Sequence, residues 1–411
     1  SDIYRNPQIL PTGYNLYQFD PRLIPTDAAY RRGTIIANNT IKAYLEEEGK
    51  YPTSTAVILW GIETSRTQGE SLSQILSYLG IRVVNSGKNW NPKYEIIPLE
   101  ELKRPRIDVT INICGFFRDM FPNLIMNLAD ILDELYEADE PLEYNYFKAN
   151  SIAIYDDLIN KGYSEEEARE LCVSRIFGPK EGSYGTGITD IIDTKNWNEE
   201  EELATVFLDN LQHVYSRNYR GKKIDNLYKD NLKSVEIVSQ IRSSHEYEIT
   251  DLDHYYEFFG GLSKSVEMVR GKKAKMYITD VTTDRIVSES VEKSIGRGIR
   301  TRVLNPKWID GLLKHDKHGA QEISDRFSNV MGLAATTNSV EQWVFNDMHA
   351  KYVEDEDIRD RLIENNEYAY MDILEQMMEY FQRGYWDASK EQIEEIKKIY
   401  LELENNIETQ V

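Results

Sequence analysis

The stretch TAVILWG, residues 55–61, decides the fold. Four apolar residues run without interruption between Thr55 and Trp60. A strand with one wet face would alternate polar and apolar side chains, so an unbroken run suits a strand buried on both faces of a parallel sheet. GESLSQILSYLG, residues 69–80, follows with apolar positions at helical spacing and a closing glycine. IRVVNSG, 81–87, reads as a second strand. RIDVTINICGFF, 106–117, reads as a third, and it leads into FPNLIMNLADILDELYE, 121–137, whose apolar residues recur three and four apart as on a half-buried helix. Strand and helix alternating in this way predict a parallel, Rossmann-like sheet between about Tyr51 and Glu137, within an α/β domain over 51–145.

Outward from that centre the pattern changes twice. Prolines at 7, 11, 21 and 25 disfavour helix and predict an extended arm over 1–50. Residues 146–286 are mixed. SEEEARELCVSRIF, 164–177, has helical spacing with Ser164 and Glu167 as a capping-box pair. GPKEGSYGTGITD, 178–190, is a glycine-rich loop, and NEEEELATVFLDNLQHVYSRN, 198–218, predicts a long helix capped by Asn198. SVEIVSQI, 234–241, and AKMYITDV, 274–281, return to strand character. Residues 287–411 are helical in pattern almost throughout. The fold class expected is α/β, with Rossmann-like parallel sheet layers and a mostly helical carboxyl-terminal region.

Composition removes several classes of function. With 411 residues, 41% of them hydrophobic, the chain can bury substantial cores. Its 70 acids against 48 bases give a formal charge of −22, the wrong sign for holding phosphate backbones, so nucleic acid is excluded as an expected ligand. Cys114 and Cys172 form neither a disulfide framework nor a CxxC clip. No apolar run approaches the roughly 20 residues that span a bilayer, and neither end reads as a secretory signal. A cytoplasmic location with reduced thiols is the expectation. The chain opens at Ser1-Asp2 without a methionine, which raises the expectation of a piece cut from a longer subunit. GxxxxGK[ST], GxSxG and HExxH are all missing, so ATP hydrolysis and the commonest hydrolase chemistries have no motif here. GSYGTG lacks the lysine of a phosphate cradle and reads as a tight loop.

Chemistry concentrates instead in SSHEYEITDLDHYYEFFGG, residues 243–261, which sets two of the six histidines among five carboxylates and five aromatic rings. His245 and His254, nine apart, are not at compact metal-site spacing. The plain reading makes His245 a loop histidine and YYEFF a piece of core. The chemical reading is that imidazole and carboxylate together take protons near neutral pH, since free histidine titrates at about 6.5. GFFRDMFPN, 115–123, and WGIETSRTQGE, 60–70, follow predicted strands, at the ends where open α/β sheets bind ligands. They offer Arg118, a planar cation suited to a carboxylate, and Glu63, Arg66 and Gln68. Surface pairing of Arg118 with Asp119 and core roles for Trp60, Phe116 and Phe117 are the competing structural readings.

Six blocks in order carry a resemblance: LPTGYNLYQFDPRLIPT, WGIETSRTQGESLSQIL, PRIDVTINICGFFRDMFPN, GSYGTGI, HEYEITDLDHYYEFFGGL and NPKWIDGLLKHDKHGAQEI. Together they resemble the carboxyl-terminal part of the large subunit of cobaltochelatase and its magnesium-chelatase relatives, over nearly all of the chain. The resemblance implies binding of a corrin or porphyrin macrocycle and insertion of a divalent metal as substrate, cobalt favoured over magnesium. It implies partners as well: AAA-type ATPase subunits that use the ATP, and the missing amino-terminal part of the same subunit. A tetrapyrrole carrier, or a structural fragment without insertion activity, is the alternative. In the family the fifth block commonly reads arginine, glutamate, histidine, aspartate ahead of Tyr-Tyr-x-Phe-x-Gly-Gly. His245 and Glu246 match the third and fourth places, and Tyr255, Tyr256, Phe258, Gly260 and Gly261 match the run. Ser243 and Ser244 replace the arginine and glutamate, and Tyr14 stands where an arginine follows the opening LPTG. The site so implied has His245 and Glu246 as proton acceptors, His245 and His254 as metal ligands, and Glu63, Arg66, Arg118, Tyr184 and Tyr255 lining the macrocycle pocket.

Overall fold

Ser54–Leu59 form β1, every residue of it buried, as a strand covered on both faces requires. The computed structural model describes residues 20–84, 92–315 and 317–410. In chain order the other strands are β2 (Ile81–Val84), β3 (Lys93–Ile96), β4 (Asp108–Ile113), β5 (Ile176–Gly178), β6 (His213–Tyr215), β7 (Arg220–Lys223), β8 (Val235–Arg242), β9 (Lys275–Asp280) and β10 (Val287–Ser290). Eight of them make one sheet in the order β10-β9-β8-β1-β4-β5-β6-β7. The five central strands, β9 to β5, are parallel, with Val57 of β1 opposite Ile111 of β4 and Ser239 of β8. The outer pairings are antiparallel.

The expected α/β class with a parallel sheet is therefore present, but the sheet is assembled from a wider span than 51–145. Only β1 and β4 of its central strands come from that stretch. IRVVNSG does supply a strand, β2, yet it pairs antiparallel with β3 in a separate two-stranded sheet, and residues 85–87 lie outside the described residues. The helix expected over 164–177 ends at Cys172, and Ile176–Gly178 join the sheet as β5. The helix expected over 198–218 occupies Glu200–Leu211 before β6 begins.

The extended arm expected over 1–50 is also corrected. Residues 1–19 lie outside the described part, and Asp27–Glu48 form a 22-residue helix, with Thr26 accepting a hydrogen bond from the Ala29 N–H as its cap. The prolines restrain the chain only as far as residue 25; beyond it nothing in DAAYRRGTIIANNTIKAYLEEE breaks a helix. This helix lies close on the helix Glu70–Leu79: a Cβ at Gly33 would come within 2.4 Å of Ser73 Cβ and 2.7 Å of the Glu70 carbonyl oxygen. A buried polar chain ties both to the sheet. Thr40 and Tyr78 share a short hydroxyl contact, and the Gln74 amide donates to Tyr78 Oη (2.8 Å) and to Ser239 Oγ on β8 (2.9 Å).

The chain divides into two compact units. The first carries the sheet and comprises the residues up to Ile188 with Glu201–His245 and Gly261–Ser290; the second comprises Thr189–Glu200, Glu246–Gly260 and Val291 onward. Beyond Ser290 the second unit is helical, as the sequence pattern predicts. Its core includes Phe327, Phe345, Tyr352, Tyr370 and Tyr380, each fully buried. Among the described residues no helix is long and apolar enough to cross a membrane.

Candidate functional site

Connections out of β1 and β8 leave the sheet in opposite directions. From β1 the chain moves to β4 on one side, and from β8 to β9 on the other, while β1 and β8 themselves lie side by side. Such a reversal splays the loops at the carboxyl ends of the two strands and opens the crevice where α/β sheets take ligands. Trp60 and the helix Gly61–Thr67 follow β1; Cys114 and the helix Gly115–Met120 follow β4; Ser243–His245 follow β8. The first two helices start against each other, because a Cβ on Gly61 would stand 3.0 Å from the backbone of Phe116 and Phe117. Packing that close needs a residue with no side chain.

Glu63 sits on the first of these helices with 5% of its surface exposed. One carboxyl oxygen, Oε1, accepts a hydrogen bond from Thr67 Oγ1 at 2.7 Å; the other, Oε2, is buried without a hydrogen-bond partner among the described residues. Burial pushes the Glu63 carboxyl up to about 7; the Thr67 bond opposes that shift, and the neighbouring Glu70 carboxylate adds to it. The Ser71 hydroxyl, like Thr67, opposes the rise, and a carboxyl poised near neutrality with one oxygen outside any well-formed hydrogen bond is equipped to accept a proton. Arg66, on the same helix, is half-buried, and among the described residues its Nε has no hydrogen-bond partner. Beside these polar groups the same strand ends present apolar side chains to solvent. Ile62 (64%), Phe116 (54%) and Tyr184 (51%) are exposed, the last two rings 6.4 Å apart between centroids, whereas Phe117 is fully buried.

Arg118 is not a free fork. Its guanidinium grips Asp119 through Nε (2.7 Å) and Nη2 (3.0 Å), and Nη1 donates to the carbonyls of Lys180 (2.7 Å) and Ser183 (3.0 Å). With four of its five N–H donors engaged in these bonds and 3% exposure, it fastens the loop after β5 and is not the open fork for a ligand carboxylate that the sequence led us to expect. Tyr184 is held by that loop, its hydroxyl donating to Asp119 Oδ2 at 2.7 Å, and its ring covers Gly115, where a Cβ would come within 2.5 Å of it.

The division between units falls between His245 and Glu246. His245, three residues past the end of β8, is exposed, and so is Glu246. In the second unit, the loop from Glu246 to Asp253 is pinned by three arginines that the sequence reading did not single out. Arg297 Nε lies 3.1 Å from Glu248, Arg302 and Arg326 contact the two oxygens of Asp251 at 3.1 and 3.3 Å, and Arg302 also donates to the Glu246 carbonyl. His254 is half-exposed, 3.1 Å from Asp253 and 3.6 Å from Glu257. A hydrogen bond to Glu257 raises its pKa against the effect of burial, and the Asp253 charge adds to the rise. Tyr255 opens a π-helical turn, Tyr255–Gly260, that buries it to 6% exposure. The turn packs on a helix of the same unit, a Cβ on Gly332 falling 2.3 Å from the Tyr256 ring. Tyr255 is therefore largely buried within the second unit, on the turn whose next residue, Tyr256, packs on that helix.

Comparison with known proteins follows the same lines. The sequence matches the CobN/magnesium chelatase family over residues 1–393. This chain belongs to that family. It is 38% identical over 400 residues to an uncharacterized protein of Methanocaldococcus jannaschii, covering 97% of this chain and 32% of that protein. To the chloroplastic magnesium-chelatase subunit ChlH of Oryza sativa subsp. japonica it is 34% identical, over 99% of this chain and 29% of that protein. Among solved structures, the catalytic subunit of cobaltochelatase from Mycobacterium tuberculosis superposes with a TM-score of 0.89 at 29% identity, over 94% of this chain and 32% of the other. The chain thus spans about a third of the length of these relatives.

Within this chelatase-family chain, the sequence reading named Glu63 but missed its neighbours Ile62 and Phe116 as exposed surface. The signal was available in part. In GIETSRT the buried face of the short helix holds Gly61, Glu63, Thr64 and Thr67, so an isoleucine next to Glu63 has to point elsewhere.

Proposed function

We propose that this chain is the part of a metal-inserting chelatase subunit that takes protons from a corrin or porphyrin macrocycle, with Glu63 as the principal acceptor. Insertion exchanges two N–H protons of the ring for one divalent cation, so the site needs a base that is neutral enough to be buried beside an apolar ring yet able to ionise near pH 7. The buried Glu63 carboxyl, with its free Oε2 and its raised pKa, is the observation that carries this reading. Ile62, Phe116 and Tyr184 supply apolar surface of the kind a flat macrocycle covers, since aromatic faces stack without demanding hydrogen bonds.

His245 and Glu246 are proposed as the second proton acceptor and the metal-handling pair, with His254 as a further metal ligand. Imidazole donors favour cobalt over magnesium, and cobalt is the metal proposed. Arg66 is proposed to meet a peripheral carboxylate of the macrocycle. ATP hydrolysis is assigned to AAA-type partner subunits, in keeping with a chain that has no P-loop.

The test uses the complete subunit with its ATPase partners, ATP, a tetrapyrrole and Co2+ or Mg2+. Glu63→Gln is expected to abolish insertion while fluorescence quenching still reports macrocycle binding. Insertion at the unaltered rate removes Glu63 from the chemistry. Binding without insertion by the unsubstituted subunit makes the protein a carrier.

A further inference from the structure

A second constellation lies in the helical unit. The helix Gln342–His349 runs into a π-helical turn, Ala350–Glu354, closed by the Asp355 N–H donating to the Ala350 carbonyl at 3.2 Å. On an α-helix, residues five apart point about 140° away from each other, whereas the i→i+5 repeat of a π turn brings them round to nearly one side. Glu354 Oε1 accordingly stands 3.2 Å from His349 Nδ1. From the opposite direction Glu395, on the helix Lys390–Gln410, brings Oε2 to 3.7 Å from Nε2. The segment leading to that helix is fixed by a set of bonds to the His349 helix. Trp386 Nε1 donates to Asn346 Oδ1 (2.9 Å), Gln342 donates to the Tyr385 carbonyl (2.7 Å), and the Asp387 N–H donates to Gln342 Oε1 (2.9 Å). The Trp386 ring lies 5.5 Å from the imidazole.

His349 itself has no exposed surface, and among the described residues neither ring nitrogen makes a well-formed hydrogen bond. Burying an imidazole in that state is costly, and folded proteins rarely leave both nitrogens unused. One ligand atom from each of His349, Glu354 and Glu395 falls within 4.8 Å of the other two. The two carboxylates are partly exposed, at 54% and 41%, so their side chains are free to swing by the ångström or so that closure on one ion needs, and they are open to entry from solvent.

The geometry points to a divalent-cation site formed by His349, Glu354 and Glu395, separate from the proposed macrocycle chemistry. Two carboxylates and a neutral imidazole balance the charge of a dication. One nitrogen and two oxygens suit the borderline ions Zn2+ and Co2+ better than Mg2+ or Ca2+, which prefer oxygen alone. Water fills the remaining positions. A cation there clamps the π turn to the carboxyl-terminal helix, and it stabilises the fold in proportion to its occupancy.

The experiment is titration of the metal-free 411-residue chain with Co2+, followed by visible ligand-field absorption and equilibrium dialysis, with Zn2+ as competitor. His349→Ala risks misfolding, so the tests rest on the partly exposed carboxylates, with circular dichroism to verify folding. Glu354→Gln and Glu395→Gln are each expected to weaken one Co2+ equivalent by at least about tenfold, and the double variant to lose it. His245→Ala and His254→Ala are expected to leave that equivalent in place. A Co2+ stoichiometry and affinity unchanged in the double variant overturn the proposal; so does the absence of any bound Co2+ in the unsubstituted chain.

Discussion

The two edges of the parallel sheet in the first unit are built on opposite terms. At the amino edge every buried charge has its partners. Arg175 and Asp108, both fully shielded, meet at 2.8 Å, and Arg175 is further bound by Ser151 Oγ (2.7 Å) and the Cys172 carbonyl. Arg106 spends its guanidinium on both oxygens of Glu140 and on the carbonyls of Leu79, Gly80 and Ile97. Glu236, opening β8, is held by Lys50, Arg270 and the Thr53 N–H. At the carboxyl edge, by contrast, Glu63 Oε2 and Thr64 Oγ1 are buried with no partner, and Ile62, Phe116 and Tyr184 face solvent. An edge that pairs its buried charges contributes stability, even though Ser54 Oγ at the start of β1 is buried there with no partner among the described residues. One that leaves buried polar groups open, next to exposed apolar surface, retains interactions for something outside the chain.

The sharpest way to break this contrast is Glu63→Gln. In the complete subunit, insertion is expected to fall by roughly 10²–10⁴-fold, the usual worth of a general base. Stability should move the other way. The folded Glu63 carboxyl titrates at about 7 against an ordinary value of 4.5, so the folded state holds this proton more tightly than the unfolded one. The stabilisation is fully present below about 4.5 and is lost as pH rises through 7. At pH 8 the charged, buried carboxylate costs about 3 kcal/mol. Urea denaturation of the 411-residue chain should therefore show Glu63→Gln more stable than the parent at pH 8, and the gap closing towards pH 4.5. A variant less stable at both pH values would make Glu63 a structural residue.

At the amino edge the matching change is Arg175→Ala, which strands Asp108 in the interior. Breaking a buried pair on one side is expected to cost about 3–5 kcal/mol in the same denaturation measurement. A loss below about 1 kcal/mol would mean that water reaches the pair and that the two edges differ less than their hydrogen bonds indicate.

How far these edges were legible in the sequence depended on how local their causes are. β1 was readable as a nearly continuous apolar run, β4, β8 and β9 as short segments rich in β-branched and aromatic residues, and the Ser164–Glu167 capping box formed as its spacing required. The helix Asp27–Glu48 was not readable. Its buried face includes Ala29, Gly33, Ala37 and Thr40, small residues chosen for close approach to Glu70–Leu79, and they carry little periodic signal. β5 and β6 are three residues long and are defined by the neighbours they pair with. Glu63 could be named from its place after a strand, but its burial and its unpartnered oxygen are tertiary facts. Arg118 was misread because the carbonyls it binds lie more than sixty residues away. His349 and Glu395 went unnoticed for the same reason.

Phe116→Ala probes the carboxyl edge without touching its polar groups. With more than half of its surface exposed, the side chain contributes little to folding, so denaturation midpoints should shift by less than the equivalent of about 0.5 kcal/mol. Tetrapyrrole affinity, read by fluorescence quenching with the complete subunit, should fall about tenfold, the size of effect a single aromatic anchor carries in an interface. Unchanged affinity would place the macrocycle elsewhere.

The smallest expected effect discriminates the two edges with the least disturbance, because it compares one hydroxyl with another. Thr64 Oγ1 and Ser151 Oγ are both wholly buried, one at each edge. Ser151 accepts from Arg175 and donates to the Phe147 carbonyl, so Ser151→Ala leaves two buried groups short of a partner and should cost about 1–3 kcal/mol. The Thr64 hydroxyl makes no hydrogen bond among the described residues, and Thr64→Val replaces it with a methyl group of nearly the same shape. That removes a desolvated polar atom and breaks nothing, so stability should stay the same or rise by up to about 1 kcal/mol. If ordered water instead satisfies Thr64 as Arg175 and the Phe147 carbonyl satisfy Ser151, the two substitutions will lose stability to a similar extent. Equal losses would also remove the reason for treating Glu63 Oε2 as a free acceptor, because a water network reaching Thr64 would reach its neighbour as well.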